Sequence, residues 1–454
     1  MNTKSAWVTD DNASLLTDLY ELTMLQAYHR EAMYGSATFT LSVRNLPKNR
    51  NFLIAAGLAD ALHYLANLRF SEDVLTYLNT LPQFDAEFLE WLRDFRFTGD
   101  VFAVLEGTPV FADEPILEIV APLPEAQLVE TFVMNQVHLQ TVIASKAARV
   151  VLAAQGRTVV DFGLRRTHGS DAGMKAARAA YIAGVDATSN VLAGSVYQIP
   201  VAGTMAHSYV QAHDSEVEAL ERFARHYHGT TLLVDTYDTL KGVQHVIDLA
   251  ERLGNDFTVK AIRLDSGDLA ELALNARKML DDSNLEAVEI FASGGLDEYS
   301  VRGIISSGAP IDGFGVGTKM NASTDAPTLD ITYKLAEYEG RGRTKLSPGK
   351  PILPGRKQVF RFENDGTVTH DEICGIDEPS IGRPLLQQVM KNGKILAESN
   401  RSLEEIRSFA EKEISKLPER LRELEPTEFR VDVSKKLELD RFTAAKEASG
   451  NKSP

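Results

Sequence analysis

Between Glu130 and Lys319 the apolar and polar positions fall into a repeating unit. Each unit is a short apolar run that ends in a glycine, an acid or a hydroxyl, and most runs feed a helix start. The runs are Thr158–Gly163, Asp186–Gly194, Ile199–Thr204, Thr231–Thr236, Val259–Gly267, Val288–Gly295 and Ile311–Thr318. Apolar runs of this length, bounded by turn residues, predict buried strands of a parallel sheet. Between them, Ser170-Asp171, Asp214-Ser215, Asp238-Thr239 and Asp297 open helical stretches that stop at Gly184, Gly229, Gly254 and Gly308. A cap at one end and glycine at the other is the helix asymmetry. Seven candidate strands rather than eight predict an irregular, incomplete βα barrel. Chemistry-capable side chains sit at the same end of each run, where such barrels collect their catalytic groups.

The flanks are patterned differently. Leu15, Leu19, Leu22 and Leu25 recur at helical spacing and predict a helix over 14–30, with Ser14 as N-cap and Tyr20 on its flank. Ala37–Arg44 alternates at period two and reads as a strand. Residues 54–97 read as mostly helical, and Asp100–Val120 as two or three strands. After Gly342 comes the loop-rich run Leu346–Gly355. Lys357–Phe362 and Thr367–His370 then form a hairpin around Asn364-Asp365-Gly366, expected to rejoin the sheet of the first domain. Residues 401–425 read as a charged amphipathic helix region. The expected fold class is α/β: the barrel plus an α+β, sandwich-like domain built from N-terminal and C-terminal segments. The expected division is 1–128, an N-terminal α+β domain; 129–345, the catalytic barrel; 346–440, a segment returning to the first domain plus helices; and 441–454, a disordered tail.

Composition narrows the function classes. A single cysteine, Cys374, excludes a disulfide or a cysteine-rich zinc site within one chain. No run approaches the roughly 18 apolar residues of a membrane span, and the N-terminus shows no apolar signal segment. The expectation is a cytoplasmic protein. The net charge of −16 argues against nucleic acid or an anionic membrane as partner. It leaves room for a phosphate substrate, because charges are screened beyond about 8 Å in physiological salt.

The strand ends carry the candidate chemistry. Arg165 and Arg166 follow one run and can grip a diphosphate bidentately, or stand as solvated surface residues. Phe162 offers a ring for stacking a flat substrate, or for the core. His207, flanked by Thr204 and Ser208, suits a general base, a ligand, a phosphoryl carrier or a packed histidine. Asp235 is placed to orient the ring of His207. Arg263 and Asp265, two apart, share one strand face, a costly pairing in a barrel mouth unless liganded. Asp268 reads as a helix cap. Gly294 and Gly295, then Gly317 and Thr318 with Lys319 adjacent, suit backbone cradles for a monophosphate, or tight turns.

Taken together, Leu16–Met24, Ala55–Leu58, Asp161–Arg166, Ser189–Gly194, Gly203–Ser208, Asp235–Asp238, Arg263–Asp268 and Gly315–Thr318 resemble the nicotinate phosphoribosyltransferase family, in the family's order over about residues 14–335. The resemblance implies transfer of phosphoribosyl from phosphoribosyl pyrophosphate (PRPP) to nicotinate, yielding nicotinate mononucleotide and pyrophosphate on the route to NAD. It implies coupling to ATP as co-substrate through a phosphohistidine, a need for Mg2+, and a homodimer with shared active sites. It makes His207 the phosphorylated histidine and Asp235 its orienting acid. Tyr20, from the neighbouring subunit, and Phe162 become the faces around nicotinate. Arg263 and Thr204 hold its carboxylate. Arg165, Ser208 and Asp265 contact PRPP or its magnesium, and Gly294, Gly295, Gly317 and Thr318 cradle the 5′-phosphate. No direct protein ligand to the metal is assigned. Nicotinamide-using relatives carry an acid near Asn190. An acid about 4 Å from the nicotinate carboxylate would cost about 1–4 kcal/mol, so neutral Asn190 favours nicotinate. The alternatives are a nicotinamide or quinolinate phosphoribosyltransferase and, in another class, a non-catalytic phosphate-ligand sensor.

Overall fold

The computed structural model describes residues 7–346 and 352–449. Residues 347–351 of the loop-rich run and 450–454 of the expected tail lie outside the described residues. The chain divides into two compact units, residues 1–142 with 328–454, and residues 143–327.

The first unit is built on a seven-stranded sheet. Its strands are ordered Arg341–Gly342, Ile331–Tyr338, Ser36–Val43, Pro115–Pro122, Asp100–Val104, Leu386–Lys391 and Lys394–Ile395, antiparallel throughout. Ile331–Tyr338 falls inside the range expected for the barrel, but pairs with Ser36–Val43. The hairpin Lys357–Asn364 and Thr367–Gly375 does not rejoin this sheet. It forms a separate four-stranded one with Arg383–Pro384 and Val431–Val433, and Leu386–Lys391 is the strand that returns to the first sheet. Helices Leu58–Asn67, Glu72–Leu78 and Ala86–Arg93 contribute Leu62, Leu65, Leu75, Leu78, Phe88 and Leu92 to the core with Phe39, Leu41 and Tyr333. Asp85 caps the last of these helices by accepting from the Phe88 N–H, which satisfies one of the donors orphaned at a helix start.

Two local expectations differ here. The first helix runs Leu19–Arg30 with Asp18 at its N-cap position, and Ser14 is buried in a short 3-10 turn, Ala13–Leu15. Leu16 breaks from helical geometry between them, so the leucine spacing spans two elements. At the other end, Lys435–Ala448 is a helix capped by Ser434, so the described part of the expected tail is structured. Leu437 and Ala444 are buried and anchor it.

The second unit holds a six-stranded parallel sheet. Its strands are β1 (Thr158–Asp161), β2 (Ala187–Thr188), β3 (Thr231–Leu233), β4 (Ala261–Leu264), β5 (Glu289–Ser293) and β6 (Gly313–Val316). Their order is β2-β1-β6-β5-β4-β3, every pair parallel. This is the incomplete βα barrel. The run Ile199–Thr204 makes only a single bridge, Val201 to Thr188. Pro200 lacks the N–H of a ladder residue, and the chain turns away. Among the described residues no helix is long and apolar enough to cross a membrane.

Candidate active site

Side chains at the C-terminal ends of the six strands are tied to one another in the order of the sheet. The Thr188 hydroxyl donates to Asp161 Oδ2 at 2.9 Å, linking β2 to β1. Arg166, after β1, donates to Thr318 Oγ1 after β6 at 3.2 Å. Lys319 Nζ reaches Asp297 Oδ2, after β5, at 2.7 Å. Ser293 donates to Asp265 Oδ1 at 2.5 Å, linking β5 to β4. The Asp265 N–H and the Ser266 hydroxyl both donate to Asp235 Oδ2, at 3.0 and 2.6 Å, linking β4 to β3. The loop after Val201 spans the open side. There the Thr204 hydroxyl accepts from Arg263 Nη1 at 2.6 Å, and His207 Nδ1 lies 3.1 Å from Thr236 Oγ1. The strand-end loops thus form one rim, and His207, Asp235, Arg263, Asp265, Phe162, Arg166, Thr204 and Thr318 lie along it.

Glycine at two positions makes this possible. A Cβ on Gly315, in β6, would stand 2.4 Å from the Phe162 ring, so glycine gives that ring its space. Phe162 and Phe291 sit with centroids 6.1 Å apart, and the Arg263 guanidinium carbon lies 6.0 Å from the Phe162 centroid. Gly294 has φ +96, and a Cβ there would meet the Asp265 carbonyl at 2.0 Å. The N–H groups of Gly294, Gly295, Gly317 and Thr318 donate to no described group.

The rim holds an arginine whose ion pair is long. Arg263 is mostly buried, and its nearest carboxylate, Asp265 Oδ2, stands at 3.9 Å. Its Nε is buried without a partner, as is Asp235 Oδ1. Burial pulls Arg263 below the usual guanidinium range; Asp265 and Asp235 oppose this, and Arg165 adds to it. Arg165 and Ser208 are exposed on the same rim. Buried polar atoms are normally paired, so Arg263 Nε and Asp235 Oδ1 are two groups at this mouth with bonding capacity to offer a ligand. Among the described residues no three His, Cys, Asp or Glu side chains gather as a metal cage.

Three sequence expectations change here. Asp235 does not contact His207: its Oδ2 is taken by Asp265 and Ser266, while Thr236 stands at Nδ1 and Asp265 Oδ2 lies 3.9 Å from Nε2. Asn190 is 3% exposed. Its Oδ1 accepts from the Ala193 N–H and its Nδ2 donates to the Gly173 carbonyl, so it is spent on capping the helix Val191–Tyr197 rather than facing the mouth. Lys319 is engaged by Asp297. Tyr20 belongs to the first unit, where it is 46% exposed; burial, then Glu130 and Glu21, push its phenol up.

Sequence reasoning passed over Thr236, Asp161 and Asn321. Asp161 is buried, accepts from the Gly163 N–H and from Thr188, and so turns Phe162 out of the strand. Burial raises its carboxyl, against those hydrogen bonds and one from Asn321. An acid that ends an all-apolar run was the available signal.

The profile of the nicotinate phosphoribosyltransferase (NAPRTase) N-terminal domain matches residues 15–138, that of the NAPRTase family residues 158–359, and that of the C-terminal domain residues 379–440. A nicotinate phosphoribosyltransferase of Mycobacterium tuberculosis is 54% identical over 421 residues, covering 93% of this chain and 91% of that protein. One from Bacillus subtilis is 44% identical, covering 78% and 74%. Human nicotinic acid phosphoribosyltransferase superposes with a TM-score of 0.84 at 27% identity, covering 94% of this chain and 99% of that one. A nicotinate-nucleotide pyrophosphorylase from Pyrococcus furiosus gives 0.74 at 26% identity, covering 92% and 99%. By these matches, this chain belongs to the nicotinate phosphoribosyltransferase family.

Proposed function

We propose that this chain transfers the phosphoribosyl group of PRPP to the ring nitrogen of nicotinate, in NAD biosynthesis, and couples the transfer to ATP through phosphorylation of His207. The observation that carries the reading is the loosely paired Arg263, with its orphaned Nε, hydrogen-bonded to Thr204 and set against the Phe162 ring. A carboxylate on a flat ring satisfies all three features at once. It is held by charge-assisted bonds from Arg263 and Thr204, while its ring lies on Phe162. A neutral amide would gain less from the guanidinium, which favours nicotinate over nicotinamide.

In the reaction, the pyridine nitrogen forms a bond to the anomeric carbon of the sugar as the bond from that carbon to pyrophosphate breaks. Negative charge builds on the leaving group, where Arg165 and Arg166 stabilise it. The free amides of Gly294, Gly295, Gly317 and Thr318 receive the 5′-phosphate. The orphaned Asp235 Oδ1 and the loosely held Asp265 Oδ2 are hard oxygen donors that fit Mg2+, which takes few protein ligands and keeps water and phosphate oxygens. Bound there, magnesium would neutralise charge on the diphosphate.

For the ATP step, Thr236 at Nδ1 fixes the ring of His207 and leaves Nε2 toward Asp265. Nε2 attacks the γ-phosphorus, ADP departs, and water later releases phosphate. The added charge beside pyrophosphate favours its exit. Assembly as a homodimer, with Tyr20 supplied by the neighbour, is supported by the exposed apolar side chains Val191, Leu192, Val196 and Val201, a face suited to a second copy.

The test is turnover with and without ATP. The wild-type enzyme is expected to be stimulated by ATP and labelled by γ-phosphate, and His207→Ala to lose both while keeping slow ATP-independent transfer. Persistent ATP stimulation in His207→Ala would exclude the phosphohistidine. PRPP binding with no pyrophosphate release would point to a sensor instead.

A further inference from the structure

Of the side-chain links around the rim, the one between β5 and β6 is an ion pair, Lys319 to Asp297 at 2.7 Å. It joins the two loops that carry the free glycine amides. Its acidic end is held firmly. Asp297 caps the helix Glu298–Ser306 in a capping box with Ser300. Burial works against its charge, but the Lys319 ammonium and the Ser300 donors hold its carboxyl below the usual range. The next residue, Glu298, is fully buried and faces Lys146 Nζ at 2.5 Å and Arg149 Nε at 3.0 Å. Lys146 also reaches Asp325 at 2.8 Å. The loop Gly294–Asp297 therefore ends on a fixed post, and Lys319 ties the Gly317–Lys319 turn to that post. Arg166 holds the same turn from the other side through Thr318.

A phosphate cradle made of backbone amides works only if its donors are already in place. Each amide adds a bond without moving, so the ordering cost is met by the fold and not by binding. Gly294 and Gly295, with φ of +96 and +65, are free in conformation and need an external constraint.

We propose that Asp297 and Lys319 are positioning residues that hold the two amide-bearing loops at the spacing a sugar phosphate requires, acting through the loops rather than touching the substrate. This rests on the reading of those loops as the 5′-phosphate cradle.

Steady-state kinetics on the full enzyme test it. Asp297→Asn removes the charge and keeps a good N-cap residue; Lys319→Met removes the other charge. Each is expected to raise KM for PRPP about tenfold, with kcat within about twofold and KM for nicotinate unchanged, a coupling typical of contacting residues. The double variant should be no worse than either single, and Lys319→Arg should restore the wild-type KM. Thermal melting checks that each variant folds. Additive losses, or a loss in Lys319→Met with Asp297→Asn silent, would mean that Lys319 binds phosphate directly and would overturn the proposal. Gly294→Ala, whose added Cβ would meet the Asp265 carbonyl at 2.0 Å and push the amide-bearing loop aside, run in parallel, separates the two readings. If it raises KM for PRPP while the ion-pair variants are silent, only the positioning role falls. If it too is silent, the cradle itself is lost.

Discussion

Two buried arginines show how differently the two units use charge. Arg361, in the first unit, is fully buried and held by a close ion pair to Asp371, although its Nη1 makes no hydrogen bond and stands 4.0 Å from Glu413. Its Nε and Nη2 donate to Asp371 at 3.0 and 2.6 Å, and Nη2 also donates to the Pro109 carbonyl at 2.9 Å. Asp371, Glu114 and Glu413 hold its charge against burial. Arg263, in the second unit, has one short partner, the Thr204 hydroxyl, and a carboxylate no nearer than 3.9 Å. A buried charge that is paired fastens a structure. One that is half-paired is costly until something arrives to complete it. The same contrast holds for amides: Asn51 spends its side chain on the carbonyls of Leu421, Glu423 and Glu425 and the N–H of Thr427, whereas the glycine amides of the rim remain free.

The largest expected effect is on the paired side of this comparison. Arg361→Met strands Asp371 as an unpaired buried acid and is expected to cost about 3–5 kcal/mol of unfolding free energy. Denaturant melts would read it, with activity per folded molecule preserved. Adding Asp371→Leu removes the stranded charge and should recover most of the loss. If Arg361→Met instead kept its stability and lost turnover, the two arginines would not differ in kind and the comparison would break.

A smaller effect sharpens the comparison within the first unit. Burial pushes the Glu21 carboxyl from 4.5 up to about 7, against hydrogen bonds from Thr17 and Thr131. The folded protein then holds this proton more tightly than the unfolded chain. Its contribution to stability is complete below pH 4.5 and is lost as pH rises through about 7. Glu21→Gln should flatten that segment of the stability–pH curve, and an unchanged curve would show that Glu21 does not titrate there.

The barrel was readable because parallel strands buried on both faces leave continuous apolar runs, each closed by a helix cap such as Asp238, Asp268 or Asp297. Strand-end positions therefore predicted where Arg263 and Asp265 would stand. What stayed hidden is what only packing decides. Thr236 and not Asp235 meets His207, because Asp235 turns toward the neighbouring strand. Asn190 is consumed by a helix start. Gly315 reads in sequence like one more loop glycine, and its reason is the Phe162 ring lying across it. In the first unit the strand Leu386–Lys391 pairs with Asp100–Val104, hundreds of residues earlier in the chain, a pairing no local pattern encodes.

The open arginine gives the most direct measurement: pyrophosphate release from PRPP, with nicotinate as acceptor, in the wild-type enzyme and in Arg263→Gln. Release that depends on nicotinate, far exceeds that with nicotinamide or quinolinate, and falls in kcat/KM by about 10²-fold or more in Arg263→Gln at unchanged melting temperature is the predicted result. Release indifferent to nicotinate, or an Arg263→Gln enzyme as fast as wild type, would contradict the account.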